Sequence, residues 1–478
     1  MSDVDGANAD AIGSVDRSAF WHSAAEPEIL GKMAVQFGTP THVLDMNRLA
    51  ANYRKFKSEF EKGGLDCAIL CSIKTNYLPN LVSALKEQGC GADVVSGYEM
   101  ELALKLEFPG AQITFNGPHK TAAELARALD AGVFINLDSA DEAVRLNKIA
   151  EDRGRPVDVG LRLNPGIAIY RGADPTYNEM AGRAAIQSKF GYTVDDGAAA
   201  AAGEISRLSH LRITGFHCHL GSQITDADAF AQALERIFAF ASQFSEGDPV
   251  ERINIGGGFG VGGIRRERRG PLRTLMAFYG CDNLDAQNEG FALQDFARTV
   301  SSLRAQYGLN GTQFYCEPGR AIVSDAMALL ATVSSVKETG GVRWVILDAG
   351  LNLMPTIAMH EDHGIREVEP SGAPKSLFRV GGPLCYEGDV LAMGKLLSDD
   401  IAEGDLVLIE DSGAYTVSRG TNFIRPRAAV VALDGTEFSL CWRREEFADV
   451  FSFSVPREQP LEQPFVANDP DYANLRQV

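Results

Sequence analysis

Positive charge is what this 478-residue sequence is short of. It has 45 Lys and Arg against 64 Asp and Glu, a formal charge of −19 and a pI near 4.9. That balance argues against nucleic acid and against an anionic membrane surface as partners. Long apolar runs are missing too: nowhere do about 18 apolar residues follow one another, so no membrane-spanning helix is expected. The opening stretch, MSDVDGANADAIGSVDRSAF, is acidic and has no apolar segment of the signal-peptide kind, and residues 1–25 read as a disordered lead-in. The eight cysteines (67, 71, 90, 218, 281, 316, 385 and 441) never take C-x-x-C spacing, and several lie inside apolar runs. They read as reduced, buried thiols of a cytoplasmic protein, with no zinc or other metal expected. No repeat of fixed period is present.

What the sequence does have is alternation. From about residue 40 to 320, short apolar runs alternate with longer amphipathic segments. The runs are CAILCSIK (67–74), GADVVS (91–96), QITFNG (112–117), GVFINLDS (132–139), VDVGLRLNP (157–165), ITGFHCHL (213–220), RINIGGG (252–258) and QFYCEPG (313–319). Between them, NLVSALKEQG, AAELARALDAG and DEAVRLNKIAEDRG carry apolar residues at helical spacing. Strand and helix in turn predict βαβ units and a parallel sheet, and eight such units predict a (β/α)8 barrel over 26–320. After Arg320 the texture changes to short strands between Gly, Asp and Pro turns, which predicts a mostly antiparallel β domain over 321–478. The early strand THVLDM (41–46) fits either the barrel or that second domain.

In such a barrel chemistry collects at the C-terminal ends of the strands. Read in order, these ends carry Lys74, Asp93, Asn116, Asp138, Arg162, His217 with His219, Gly256 to Gly258, and Glu317 with Arg320. A lysine ending a strand ordinarily snorkels to water; a lysine in a dry pocket is an amine nucleophile able to form a Schiff base. The GGGFG turn (256–260) leaves backbone N–H groups open to an anion, although tight turns alone account for most such glycines. Arg320 can add a charged donor to that anion or form an ordinary salt bridge. Glu317, between an apolar strand and Pro318, needs a cationic or donor partner, and a protonated pyridine nitrogen is one.

These residues together resemble the fold-type III pyridoxal-phosphate decarboxylases, the group of diaminopimelate and ornithine decarboxylases. The resemblance runs from about 38 to 455 and rests on SIKTN (72–76), ADVVSGYE (92–99), SKFG (188–191), HCHLGSQ (217–223), GGGFG, EPGR (317–320), GPLCYEGD (382–389) and GAY (413–415). It implies pyridoxal 5'-phosphate as cofactor and an αβ barrel followed by a β domain. It further implies a head-to-tail homodimer with shared sites. By position it implies that Lys74 is the Schiff-base lysine, His219 stacks on the pyridine ring and Glu317 pairs with its nitrogen. Ser222, Gly256, Gly257, Gly258, Arg320 and Tyr415 then hold the phosphate, while Asp93 and Arg162 line the pocket. Cys385, from a second subunit, reprotonates the carbon after carbon dioxide leaves.

The far end of the substrate site departs from the resemblance. Diaminopimelate decarboxylases carry a CES-type stretch whose glutamate grips the distal amino group; here it is CYEG, with Tyr386 at that position and Glu387 one residue later. Their Arg-Pro-x-x-Tyr stretch, which reads the distal carboxylate, is replaced by Met354 before Pro355 and Ala358 in place of the tyrosine. The aspartate that ornithine enzymes place after the cysteine is absent as well. The loop IRRERRG (264–270) packs Arg265, Arg266, Arg268 and Arg269 together, either as a solvated or partner-facing face or as a lid for an anionic substrate. The expectation is an α-decarboxylase of a diamino acid or a carboxyl-rich amino-acid derivative, such as secondary metabolism or siderophore synthesis uses. The alternatives are diaminopimelate decarboxylase proper, an amino-acid racemase or epimerase on the same cofactor, and a non-catalytic regulatory relative.

Overall fold

The computed structural model describes residues 21–169, 175–245, 249–262, 264–266, 291–359 and 361–452. The expected lead-in falls largely outside them, as do Arg268, Arg269 and the C-terminal residues from 453 on.

A lead strand β1 (Thr41–Asp45) comes before eight parallel strands. These are β2 (Cys67–Ser72), β3 (Gly91–Val94), β4 (Ile113–Phe115), β5 (Phe134–Leu137), β6 (Val157–Asn164), β7 (Leu211–His217), β8 (Arg252–Asn254) and β9 (Gln313–Cys316). β9 pairs with β2 and β5 with β6, which closes the sheet into a barrel. Helices between strands start at caps written in the sequence. Thr121 and Glu124 form a reciprocal capping box ahead of Ala122–Ala131, and Gly132, left-handed at φ 71°, ends it. Ser96, Ser139 and Asp226 cap three more helices.

The barrel's outer core has a phenylalanine cluster that bears directly on the site. Phe259, the aromatic of GGGFG, is 1% exposed, and its ring centroid lies 5.2 Å from Phe56, 5.4 Å from Phe291 and 5.6 Å from Phe230. The glycine turn is thus pinned from below by packing, with about 3 kcal/mol or more at stake in that one ring.

β1 does not join the barrel. It lies in the second sheet, antiparallel to Met327–Thr339 (Thr41 opposite Leu330) and parallel to Ala429–Asp434 (Thr41 opposite Ala429). That sheet continues through Val342–Leu347, Lys375–Gly381 and Val390–Ser398, and its pairings are mostly antiparallel. The two domains are latched beside Lys74. The Tyr415 N–H donates to the Thr75 carbonyl (2.8 Å), the Ser418 hydroxyl donates to the same oxygen (3.1 Å), and Asn76 Nδ2 donates to the Gly413 carbonyl (2.8 Å). Arg265 and Arg266, the first arginines of the basic loop, pair by backbone with Asp362 and Glu361 of the β domain.

Candidate active site

Lys74 sits one turn past its strand, in a 3-10 segment Ile73–Thr75 that follows β2. Its ammonium Nζ donates to Asp93 Oδ2 at 3.0 Å; Asp93, on β3, is fully buried, and Ser72 Oγ donates to the same oxygen at 2.8 Å. Burial opposes a charged lysine, but the carboxylates of Asp93 and Glu317 outweigh it and raise the Lys74 pKa above its ordinary value.

Glu317, just past β9, is 2% exposed and its Oε1 is crowded with donors. Asn116 Nδ2 donates at 2.7 Å and Asn254 Nδ2 at 2.8 Å, and His217 Nε2 lies 3.2 Å away. Burial alone would raise this carboxyl's pKa; the neighbouring His217, His219 and Lys74 hold it well below the usual range. Glu317 is therefore a fixed anion. His219 Nδ1 accepts the Gly257 N–H at 3.2 Å and lies 3.7 Å from Glu317 Oε2; burial lowers this imidazole's pKa, against the pull of Glu317.

The three glycines are required by close approach. A Cβ on Gly256 would lie 2.2 Å from the Cys218 carbonyl, one on Gly257 2.0 Å from the Glu317 carbonyl, and one on Gly258 2.3 Å from the Gly221 carbonyl. Gln223 staples this turn to the HCHLGSQ segment, donating to the carbonyls of Val261 (2.7 Å) and Ile264 (2.9 Å) and accepting the Val261 N–H (3.1 Å). Ser222 stands beside it, half-buried. Arg162 is buried at the end of β6, its guanidinium stacked 4.2 Å from the Phe190 ring centroid, which gives the SKFG segment a packing role.

Arg320 forms the salt bridge that was one of its two expected readings, here with a buried partner. Its two Nη atoms donate to the Glu361 carboxylate (3.1 and 2.6 Å), and both side chains are 5% exposed. Its Nε is buried without an acceptor, and the Tyr415 ring centroid lies 5.4 Å from the guanidinium. Glu361 itself has its pKa lowered: burial opposes ionisation, while His363 and Arg320 favour it more strongly.

The remaining predicted residues belong to the β domain. Cys385, Tyr386 and Glu387 are exposed on a loop tied by Asp389, which accepts the N–H groups of Leu351 and Leu384, both at 2.8 Å. Met354 is fully buried in the core of the β domain, and Ala358 is exposed. Sequence reasoning gave no role to Asn116, Asn136, Asn254, Gln223 or Glu361. Asn116 and Asn254 were within reach, since both stand at strand ends.

These parts suit pyridoxal phosphate. A lysine amine, a permanently ionised buried carboxylate, a turn that admits only backbone and a buried guanidinium N–H with no acceptor converge on one rim. The pyridoxal-binding domain of the pyridoxal-dependent decarboxylases matches residues 46–324. The chain belongs to this family. It is 30% identical over 432 residues to the diaminopimelate decarboxylase of Pseudomonas aeruginosa, covering 90% of this chain and 95% of that one. The Aquifex aeolicus diaminopimelate decarboxylase is 30% identical over 423 residues, covering 87% and 92%. A crystal structure of the Methanocaldococcus jannaschii enzyme superposes with a TM-score of 0.78 at 28% identity, covering 89% of this chain and 94% of that one. The chain is thus a pyridoxal-phosphate-dependent amino-acid decarboxylase of the barrel-plus-β-domain fold. Among the described residues no helix is long and apolar enough to cross a membrane.

Proposed function

We propose that this decarboxylase acts on a diamino acid or carboxyl-rich amino-acid derivative other than diaminopimelate, as a cytoplasmic homodimer. The observation that carries the substrate reading is the burial of Met354, which stands where the resemblance puts an arginine for the distal carboxylate: its side chain is packed into the core of the β domain. Ala358, at the tyrosine position, has no donor to offer. The distal carboxylate of diaminopimelate, left unpaired there, costs several kcal/mol.

The roles follow the positions. Bound here, pyridoxal phosphate supplies the electron sink that loss of an α-carboxylate requires. Lys74 carries the cofactor, and Asp93 and Arg162 shape its pocket. Glu317, kept ionised, would hold a proton on the cofactor's ring nitrogen, and His219 would cover the ring. Ser222, Gly256 to Gly258, Tyr415 and the Nε–H of Arg320 bind the phosphate. Cys385 delivers a proton to the α-carbon from the partner subunit. The dimer reading is supported by exposure: Cys385 shares its surface with Tyr386 and Phe423, whose rings are 6.3 Å apart, and with the exposed Ile424. A thiol and an apolar patch in solvent suit a shared interface.

Diaminopimelate itself is the second reading, favoured by what the relatives are called. Carbon dioxide release is measured for meso-diaminopimelate, L- and D-lysine, L- and D-ornithine, arginine and carboxyl-rich diamino-acid conjugates. Turnover of a member other than diaminopimelate supports the proposal. Efficient turnover of diaminopimelate overturns it.

A further inference from the structure

Asn116, at the end of β4, ties together the two carboxylates that face the lysine. Its single amide nitrogen, Nδ2, donates one hydrogen to Asp93 Oδ1 and the other to Glu317 Oε1, both at 2.7 Å. Its carbonyl Oδ1 accepts from Asn136 Nδ2, again at 2.7 Å, which fixes which end of the amide points where. The barrel makes room for this relay. A Cβ on Gly160 would lie 1.8 Å from Asn136 Oδ1, so β6 gives up a side chain where β5 seats the second asparagine. Asn116 and Asn136 are each 3% exposed, and Asp93 is fully buried. Asn254 is a useful contrast, since it donates to Glu317 alone among these two carboxylates (2.8 Å).

We propose that Asn116 is a positioning residue that holds Asp93 and Glu317 together as two separate anions, and so sets the charge balance at the Lys74 nitrogen. Two carboxylates brought close in a dry interior repel, and one of them ordinarily takes up a proton. An amide with both hydrogens engaged offsets that repulsion without adding charge. Asp93 then stays the counter-ion of Lys74, while Glu317 stays an anion for a different partner. The other groups facing Lys74 are His219, Tyr415 and, further off, Glu99. The inference rests on Lys74 being the residue that takes the cofactor.

The test is a pH titration of the visible absorbance band formed when pyridoxal phosphate is added to the full chain, read without any turnover. Removing both hydrogens with Asn116→Leu strips a donor from each carboxylate, so one of the pair takes up a proton and less negative potential is left at the lysine nitrogen. The titration midpoint is expected to fall by about one pH unit or more. Asn116→Ala, which also removes both donors, serves if the leucine variant does not fold and moves the midpoint the same way. Asn254→Leu, which strips a donor from Glu317 only, moves it less. An unmoved or raised midpoint in a folded Asn116 variant overturns the inference, as does an equal fall in Asn254→Leu. If the wild-type chain forms no band at all, the assignment of Lys74 fails instead, so the two failures are distinguishable.

Discussion

Lys74 and Asp93 meet across two neighbouring strand ends, Nζ 3.0 Å from Oδ2, with the carboxylate wholly buried. Without cofactor the lysine is therefore held as an ammonium, because the carboxylates outweigh the burial that would strip its proton. An ammonium cannot attack an aldehyde, so capture of pyridoxal phosphate is expected to quicken steadily as pH rises. Asp93→Asn removes the main counter-charge and shifts that rise to lower pH, which stopped-flow absorbance reads directly. Lys74→Ala gives no band at any pH.

Glu317→Gln keeps the shape of the site and removes its fixed anion. Pyridoxal phosphate binding is expected to survive, while carbon dioxide release falls by about 10²-fold or more. Because the carboxyl is held well below its ordinary range, its ionisation is not the acid limb of the wild-type rate profile. A wild-type acid limb that disappears in Glu317→Gln contradicts this.

Arg320 and Glu361 are a buried pair, so breaking it differs from deleting it. Glu361→Ala leaves an uncompensated guanidinium in a site 5% exposed and is expected to cost about 3–5 kcal/mol in denaturant unfolding. The double variant Arg320→Met with Glu361→Leu recovers most of that stability but still binds pyridoxal phosphate weakly, since the Nε–H donor is gone. Full cofactor affinity in the double variant removes Arg320 from the phosphate site.

Glu99 lies beside Asp93 and accepts the Val95 N–H at 2.9 Å. Burial, with Asp93 adding to it, lifts its pKa from the ordinary carboxylate range to about 7. The folded chain then binds a proton here that the unfolded chain releases, so this group's contribution to stability falls as pH rises from about 4.5 to about 7. Glu99→Gln flattens that part of the Tm against pH curve and leaves the variant relatively more stable above neutrality.

A shared site predicts complementation. Lys74→Ala and Cys385→Ala homodimers are each inactive or nearly so. Equal mixing with subunit exchange is expected to restore about a quarter of the wild-type sites, because half the dimers are mixed and each mixed dimer holds one intact site. No recovery on mixing means that Cys385 serves its own chain or none.

The barrel was legible because each strand is a short apolar run, and because its chemistry sits one or two residues past the run, as Lys74 and Glu317 do. What sequence could not give is which strand ends meet. The Asn116 bridge joins residues far apart in the chain, from β3, β4 and the end of β9. Likewise the partner of Arg320 comes from the β domain, in the segment after Ala358 that reads as a departure from the relatives. β1 was ambiguous for a similar reason: all five of its residues are buried, so its sequence marks no solvent face, and only pairing with Met327–Thr339 and Ala429–Asp434 decides its sheet. Met354 looked like a substrate contact by position, but its side chain is buried in the core of the β domain.

The most direct test is a single incubation in deuterated water of the pyridoxal-phosphate-loaded protein with carboxyl-labelled amino acids, following labelled carbon dioxide and α-deuterium together. The account predicts labelled carbon dioxide from one member of the panel, with one deuterium placed on the carbon that lost it. Deuterium entering the α-position of an intact amino acid, with no carbon dioxide released, would contradict the account and mark a racemase or epimerase.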